Sequence, residues 1–156
     1  MTAATTTTTQ AAATRAAATQ AELASRLRLA VTRLGRRLRT QIPGGLSPSQ
    51  LATLASVERL GPLALGELSS VERVKPPTMT KIVACLEEQG LVSRTVDPTD
   101  RRVARVEATQ TGVAFLTESR HQKDAYLAQR LRSLSDGDRA VLEQAAAVLE
   151  RILEDQ

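Results

Sequence analysis

A mainly α-helical chain with one small β-hairpin is the fold class this sequence predicts, and three observations predict it. Met79, Ile82, Val83 and Leu86 recur at i, i+3, i+4 and i+7, the period of a helix with one buried face. Gly90 ends that run. Two β-rich stretches follow at once, Leu91–Val96 and Val103–Ala108, around the turn-rich Asp97-Pro98-Thr99-Asp100. Phe115 and Tyr126 are the only aromatic rings besides His121, so the core must be built from Leu, Val, Ile and Ala, which suits helix-on-helix packing. A helix followed directly by a hairpin with Arg101 and Arg102 at its tip is the layout of a winged helix-turn-helix.

The chain has 156 residues, enough for one domain with a real core. Its net charge of +4 favours an anionic partner, but the excess is unevenly placed. Residues 1–46 carry a net +6, residues 47–108 are neutral and residues 109–156 carry a net −2. Any basic surface on the central segment must therefore come from sorting charge by face. The single cysteine, Cys85, and the single histidine exclude an intramolecular disulfide and make a protein zinc site implausible. No Gly-rich phosphate loop and no nucleophile with a plausible base is visible, so the sequence does not read as an enzyme, and no cofactor is expected. The lack of aromatic rings argues against modules that stack bases. With no membrane span and no secretory signal, the expected setting is the cytoplasm.

Residues 1–19 are Thr/Ala-rich with no hydrophobic period and are expected to form a disordered arm. Residues 20–46 read as an N-terminal helix, running from 20 to 41, that suits packing on other helices within the chain or across a dimer. Leu23, Leu27, Ala30, Val31, Leu34 and Leu38 share one arc, bordered by arginines that suit either solvent or phosphate. Ile42-Pro43-Gly44-Gly45 ends it. Residues 47–108 are the expected DNA-binding lobe. Ser47, Pro48 and Gln50 make a capping box with proline at the first helical position, and that helix runs to about Leu60. Leu63 to Val71 is expected as a short helix with Leu65, Leu68 and Val71 inward, and Glu72-Arg73-Val74 as the turn.

The next helix opens at Lys75-Pro76-Pro77 with no strong capping side chain. Opposite its apolar face stand Pro77, Thr80, Lys81, Ala84 and Glu88. Small hydroxylated side chains admit a helix to a groove, and a threonine or proline carbon can meet a thymine methyl. Cys85 lies beside the core arc, as a small half-buried residue or as a redox group. In the hairpin, Asp100 could aim Arg101 and Arg102 into a minor groove; equally, the tip could be ordinary charged surface. Residues 109–156 are expected as C-terminal dimerisation helices. The first is capped by Thr109 and runs from Gln110 to Leu134; the second starts at Ser135-Asp136-Gly137-Asp138. The apolar seam of the last helix reaches almost to the C-terminus and wants a partner.

Leu46-Ser47-Pro48-Ser49-Gln50-Leu51, Pro77-Thr78-Met79-Thr80-Lys81 and Leu86-Glu87-Glu88-Gln89-Gly90-Leu91-Val92-Ser93-Arg94 carry a resemblance. So do Asp97-Pro98-Thr99-Asp100-Arg101-Arg102 and Thr109-Gln110-Thr111-Gly112. Through these residues the chain resembles the MarR family of transcriptional regulators, from about Ala21 onward. The resemblance implies a homodimer on double-stranded DNA at a near-palindromic operator. Recognition helices would lie in successive major grooves, with wing arginines in the flanking minor grooves. It also implies repression relieved by a small phenolic or anionic effector. The residues expected at the major groove are Pro77, Thr78, Thr80 and Lys81. Those expected at the wing are Asp100, Arg101 and Arg102, and those at phosphates Arg73, Lys75 and Arg94. A rival expectation is a helical dimer that docks a protein partner through the winged fold without specific DNA binding.

Overall fold

Helix begins earlier than the sequence pattern suggests. In the computed structural model, which describes residues 3–41, 45–97 and 103–154, α1 spans Ala3–Arg39. The stretch expected to be a disordered arm is thus mostly helical and continuous with the amphipathic helix expected from residue 20. Its alanines carry the highest helix propensity of any residue, which offsets the β-branched threonines. The chain divides into two units, Met1–Thr40 and Gln41–Gln156. On α1, Leu23, Leu27, Val31 and Leu34 are exposed. Of the segment expected to end this helix, residues 42–44 lie outside the described residues, and Gly45 has φ of 70°.

In the second unit, α2 (Pro48–Leu60) starts as its sequence requires. The Ser47 Oγ accepts from the Gln50 amide at 3.3 Å, and Gln50 Oε1 accepts from the Ser47 amide at 2.7 Å. Then come β1 (Leu63–Ala64), α3 (Leu65–Val71) and α4 (Pro76–Glu88). The hairpin is β2 (Val92–Val96) and β3 (Ala104–Ala108), followed by α5 (Gln110–Leu131) and α6 (Asp136–Glu154). The sheet has three strands rather than the two expected, in the order β1-β3-β2, all antiparallel. Leu63 and Ala64, expected as the start of the short helix, pair instead with Val106 and Arg105 as an edge of the sheet, and the helix begins at Leu65. Helix α5 ends at Leu131, three residues before the expected Leu134, and Arg132 to Leu134 close as a turn.

The core joins the second unit's helices to its sheet. Leu54 and Val57 of α2, Leu68 of α3, the apolar face of α4, Leu91, Val92, Val106 and Leu116 of α5 are all buried together. Val71, expected inward, is 43% exposed, because α3 is only two turns long and Leu65 and Leu68 supply its contacts with the core.

Two contacts fix where α5 departs. Thr109 caps it, its Oγ1 accepting from the Gly112 amide at 3.1 Å and donating to the Gly90 carbonyl at 2.6 Å. At Gly112 a Cβ would sit 2.1 Å from the Leu91 carbonyl oxygen, so only glycine admits this approach. At α6, Ser135 Oγ accepts from the Asp138 amide at 3.1 Å, as the start signal there predicts.

Candidate nucleic-acid interface

Helix α4 is held by its apolar face and shows solvent the other. Met79, Ile82, Val83 and Leu86 are buried, as their spacing requires. Pro77, Thr78, Thr80 and Lys81 are exposed. Lys75 stands at the N-cap in an extended conformation, which the following proline enforces. Its side chain makes no capping bond. Its carbonyl does the capping, accepting from the Thr78 amide at 2.9 Å and the Met79 amide at 3.1 Å. Since Pro76 and Pro77 have no N–H, the first turn of α4 has no amide left for a phosphate. Thr80 Oγ1 donates to the Pro76 carbonyl at 3.0 Å.

Both ends of α4 meet left-handed turns with the same hydrogen bonds. After α4, Gly90 has φ of 68°, its amide donates to the Glu87 carbonyl, and the Leu91 amide reaches the Leu86 carbonyl. After α3, Arg73 has φ of 52°, its amide donates to the Ser70 carbonyl, and the Val74 amide reaches the Ser69 carbonyl. Each is a Schellman closure, but the second holds an arginine where glycine is the unstrained choice. Arg73 is thereby fixed on the turn into α4, with an exposed side chain.

The charges of the neutral lobe are sorted by pairing. Glu87 takes Arg94 Nε at 3.1 Å, tying β2 to the end of α4. Glu58 takes Arg120 through two bonds of 3.1 and 2.6 Å. Glu72 accepts from Ser56 Oγ at 2.5 Å. Asp97, 4% exposed, pairs with Arg105 Nε; the other end of Arg105 lies 3.6 Å from Glu67 and 3.4 Å from the Pro62 carbonyl. These partners shift titration as their geometry demands. The Asp97 hydrogen bond holds the Arg105 guanidinium above its ordinary value, and the Glu58 bond does the same for Arg120. Conversely, the Arg120 hydrogen bond keeps Glu58 below the ordinary carboxylate range. Among the described residues, the side chains of Arg73, Lys75 and Lys81 form no ion pair and face solvent. Glu67, Glu87 and Asp97 are thus paired within the lobe and Glu58 by α5, while the cations around the start of α4 are left to solvent, as is Glu88 two turns along.

Of the residues expected at the interface, Pro77, Thr78, Thr80, Lys81, Lys75 and Arg73 come together around the first turns of α4. Arg94 is already occupied by Glu87 through Nε. Asp100, Arg101 and Arg102 lie outside the described residues. The root of the hairpin is described, and there the Asp97 amide donates to the Val103 carbonyl at 2.9 Å. Three residues contribute through contacts that sequence neighbours do not reveal. Arg105 and Glu67 brace the hairpin root against the start of α3, where Glu67 also accepts from the Ala64 amide at 2.7 Å. Gln50, besides its capping role, donates through Nε2 to Cys85 Sγ at 2.9 Å, tying α2 to α4. Cys85 is half-buried there, and His121 is exposed. Among the described residues no cluster of His, Cys, Asp or Glu suits a metal, and no helix is long and apolar enough to cross a membrane.

A short helix, a left-handed turn and a second helix braced by a three-stranded wing define a winged helix-turn-helix protein. Residues 46–104 match the MarR family. The HTH-type transcriptional regulator Mb0904 of Mycobacterium bovis is 36% identical over 130 residues, which are 83% of this chain and 91% of that protein. The transcriptional repressor MdtR of Bacillus subtilis is 30% identical over 92 residues, 59% of each chain. A solved MarR family protein from Bacillus stearothermophilus superimposes with a TM-score of 0.72 at 29% identity, covering 87% of this chain and 96% of that one. The chain belongs to the MarR family, whose members are non-enzymatic transcriptional regulators that bind DNA and act as dimers.

Proposed function

We propose that this protein is a cytoplasmic, sequence-specific repressor that binds a near-palindromic operator as a homodimer. The observation that carries the reading is the fixed presentation of α4. Its buried face leaves Pro77, Thr78, Thr80 and Lys81 outward, with Arg73 and Lys75 beside them. Pro77, Thr78, Thr80 and Lys81 enter the major groove; Arg73 and Lys75 take phosphates. Arg94 serves as a phosphate contact only through guanidinium nitrogens other than Nε. Arg101 and Arg102, oriented by Asp100, reach the minor groove from the wing. The dimer forms through α1, α5 and α6, and the exposed leucines and valines of α1 and α6 support this. The repressor sign is supported by the kinship with MdtR.

A small phenolic or anionic effector has room in an open cavity of about 610 Å³ bordered by Ser56, Glu58, Arg59, Glu72 and Arg120, where Glu58 already holds Arg120 and Arg59 is the cation left for it. The alternative of a protein-docking module rests on the neutral charge of residues 47–108; the pairing of Glu58, Glu67, Glu87 and Asp97 away from the start of α4 favours the DNA reading over it.

The test is fluorescence anisotropy with the DNA upstream of the protein's own gene. Lys75→Ala is expected to weaken binding uniformly and to lower the salt slope by about one. Arg102→Ala is expected to cost roughly 1–3 kcal/mol and to relax specificity at the flanks. A salt-independent interaction, or Arg102→Ala binding like wild type, would sink the reading. Titrating in salicylate, a phenolic carboxylate, checks the effector: release of the DNA is the expected result.

A further inference from the structure

The outward side of α4 is poor in hydrogen-bond donors, and this restricts which base pairs it can read. Pro76 and Pro77 have no amide hydrogen, and the amides of Thr78 and Met79 are both spent on the Lys75 carbonyl. The Thr80 hydroxyl spends its hydrogen on the Pro76 carbonyl, which leaves its oxygen to a groove as an acceptor. Beside it stand the exposed Pro77 ring and the γ-methyls of Thr78 and Thr80. Lys81 is the one cationic donor on this face, and the Thr78 hydroxyl is the one neutral donor left.

Base edges in the major groove sort against this set. Guanine shows two acceptors and asks for donors; thymine shows a methyl; adenine and cytosine show an amine that asks for an acceptor. Only an A·T pair offers both an amine for the Thr80 oxygen and a methyl for the proline and threonine carbons. We propose that α4 reads A·T pairs, with Thr80 Oγ1 accepting from the adenine N6 amine. The carbons of Pro77, Thr78 and Thr80 lie against thymine methyls. Lys81 supplies at most one guanine contact per half-site. This inference rests on the DNA-binding reading above and adds the sequence class to it.

The experiment starts from duplexes selected by the full-length protein from random DNA, which should show an A·T core in each half-site. Two analogue duplexes then probe the contacts by anisotropy. Replacing core thymines with deoxyuridine removes only the methyl and should weaken binding roughly four-fold per contacted methyl. Replacing a core adenine with purine deoxyriboside removes the N6 amine and should weaken binding about five-fold for one lost hydrogen bond. 7-Deazaadenine removes only the N7 acceptor, which Thr80 does not address, and should bind as adenine does. Thr80→Val keeps shape and methyl but has no oxygen. It should abolish the purine penalty and keep the uridine penalty. A G·C core, or uridine and purine duplexes bound like the unmodified one, would overturn the inference. Absence of any sequence-selective binding would overturn the DNA-binding reading, and this inference with it.

Discussion

Helices α4 and α6 have similar apolar patterns and opposite fates. On α4, Met79, Val83 and Leu86 are fully buried under α2, α3 and the sheet. On α6, Val141, Leu142, Val148, Leu149, Ile152 and Leu153 are 37–73% exposed in the single chain. An amphipathic period states that a face must be covered; it does not state by what. For α4 the cover is local and internal. For α6 no cover is found within its own unit, and the family acts as dimers.

The comparison can be broken most directly by truncating one leucine in each helix. Leu86→Ala is expected to lose about 2–5 kcal/mol, read by urea unfolding and independent of protein concentration. Leu149→Ala should behave differently, destabilising mainly through the dimer, so its midpoint should fall as the protein is diluted. If both variants show the same concentration dependence, the contrast between the helices is wrong.

A smaller effect tests how α5 is seated. Gly112→Ala should destabilise by roughly 1–3 kcal/mol, because its Cβ meets a backbone oxygen that cannot move aside. Next comes the pair of left-handed turns flanking α4. Arg73→Gly should stabilise the fold by about 1–2 kcal/mol by relieving the αL arginine. The same change should weaken DNA binding and lower its salt slope. Gain of stability without loss of binding would remove Arg73 from the interface.

The smallest effect is acid-dependent. Glu58 is depressed in the folded state by Arg120, so the pair's contribution is present above the ordinary carboxylate value of 4.5 and is lost as the pH falls through the folded value. Arg120→Gln should therefore flatten the acid limb of the stability curve below about pH 4.5, modestly, since the pair faces solvent. Thermal unfolding from pH 3 to 7 would check it.

Much of the fold is legible because its signals are local. The capping box at Ser47 and Gln50, the face of α4, the turn at Gly90 and the cap at Thr109 each depend on residues within one or two turns. Strand β1 is not legible in this way. It is two residues long, and what makes it a strand is pairing with Arg105 and Val106, some forty residues later. The Asp97–Arg105 brace was hidden for the same reason, since it needs the hairpin register before the two residues become neighbours. The helix from Ala3 onward is not legible from hydrophobic period, which is missing there, and rests on alanine propensity instead. At the candidate interface, residue types marked the outward face of α4. Only coordinates show that Thr80 has given away its hydrogen, that the first turn has no spare amide and that Arg94 is held by Glu87.

The seat of α5 has a mechanical consequence. Its first residues are bonded to Gly90 and Leu91, directly at the end of α4, with no slack between them. A helix of 22 residues is a lever ~33 Å long, so a tilt of roughly 5° at that seat displaces its far end by roughly 3 Å. Run in reverse, a displacement of roughly 3 Å at the far end of α5 is a turn of roughly 5° at the seat beside α4.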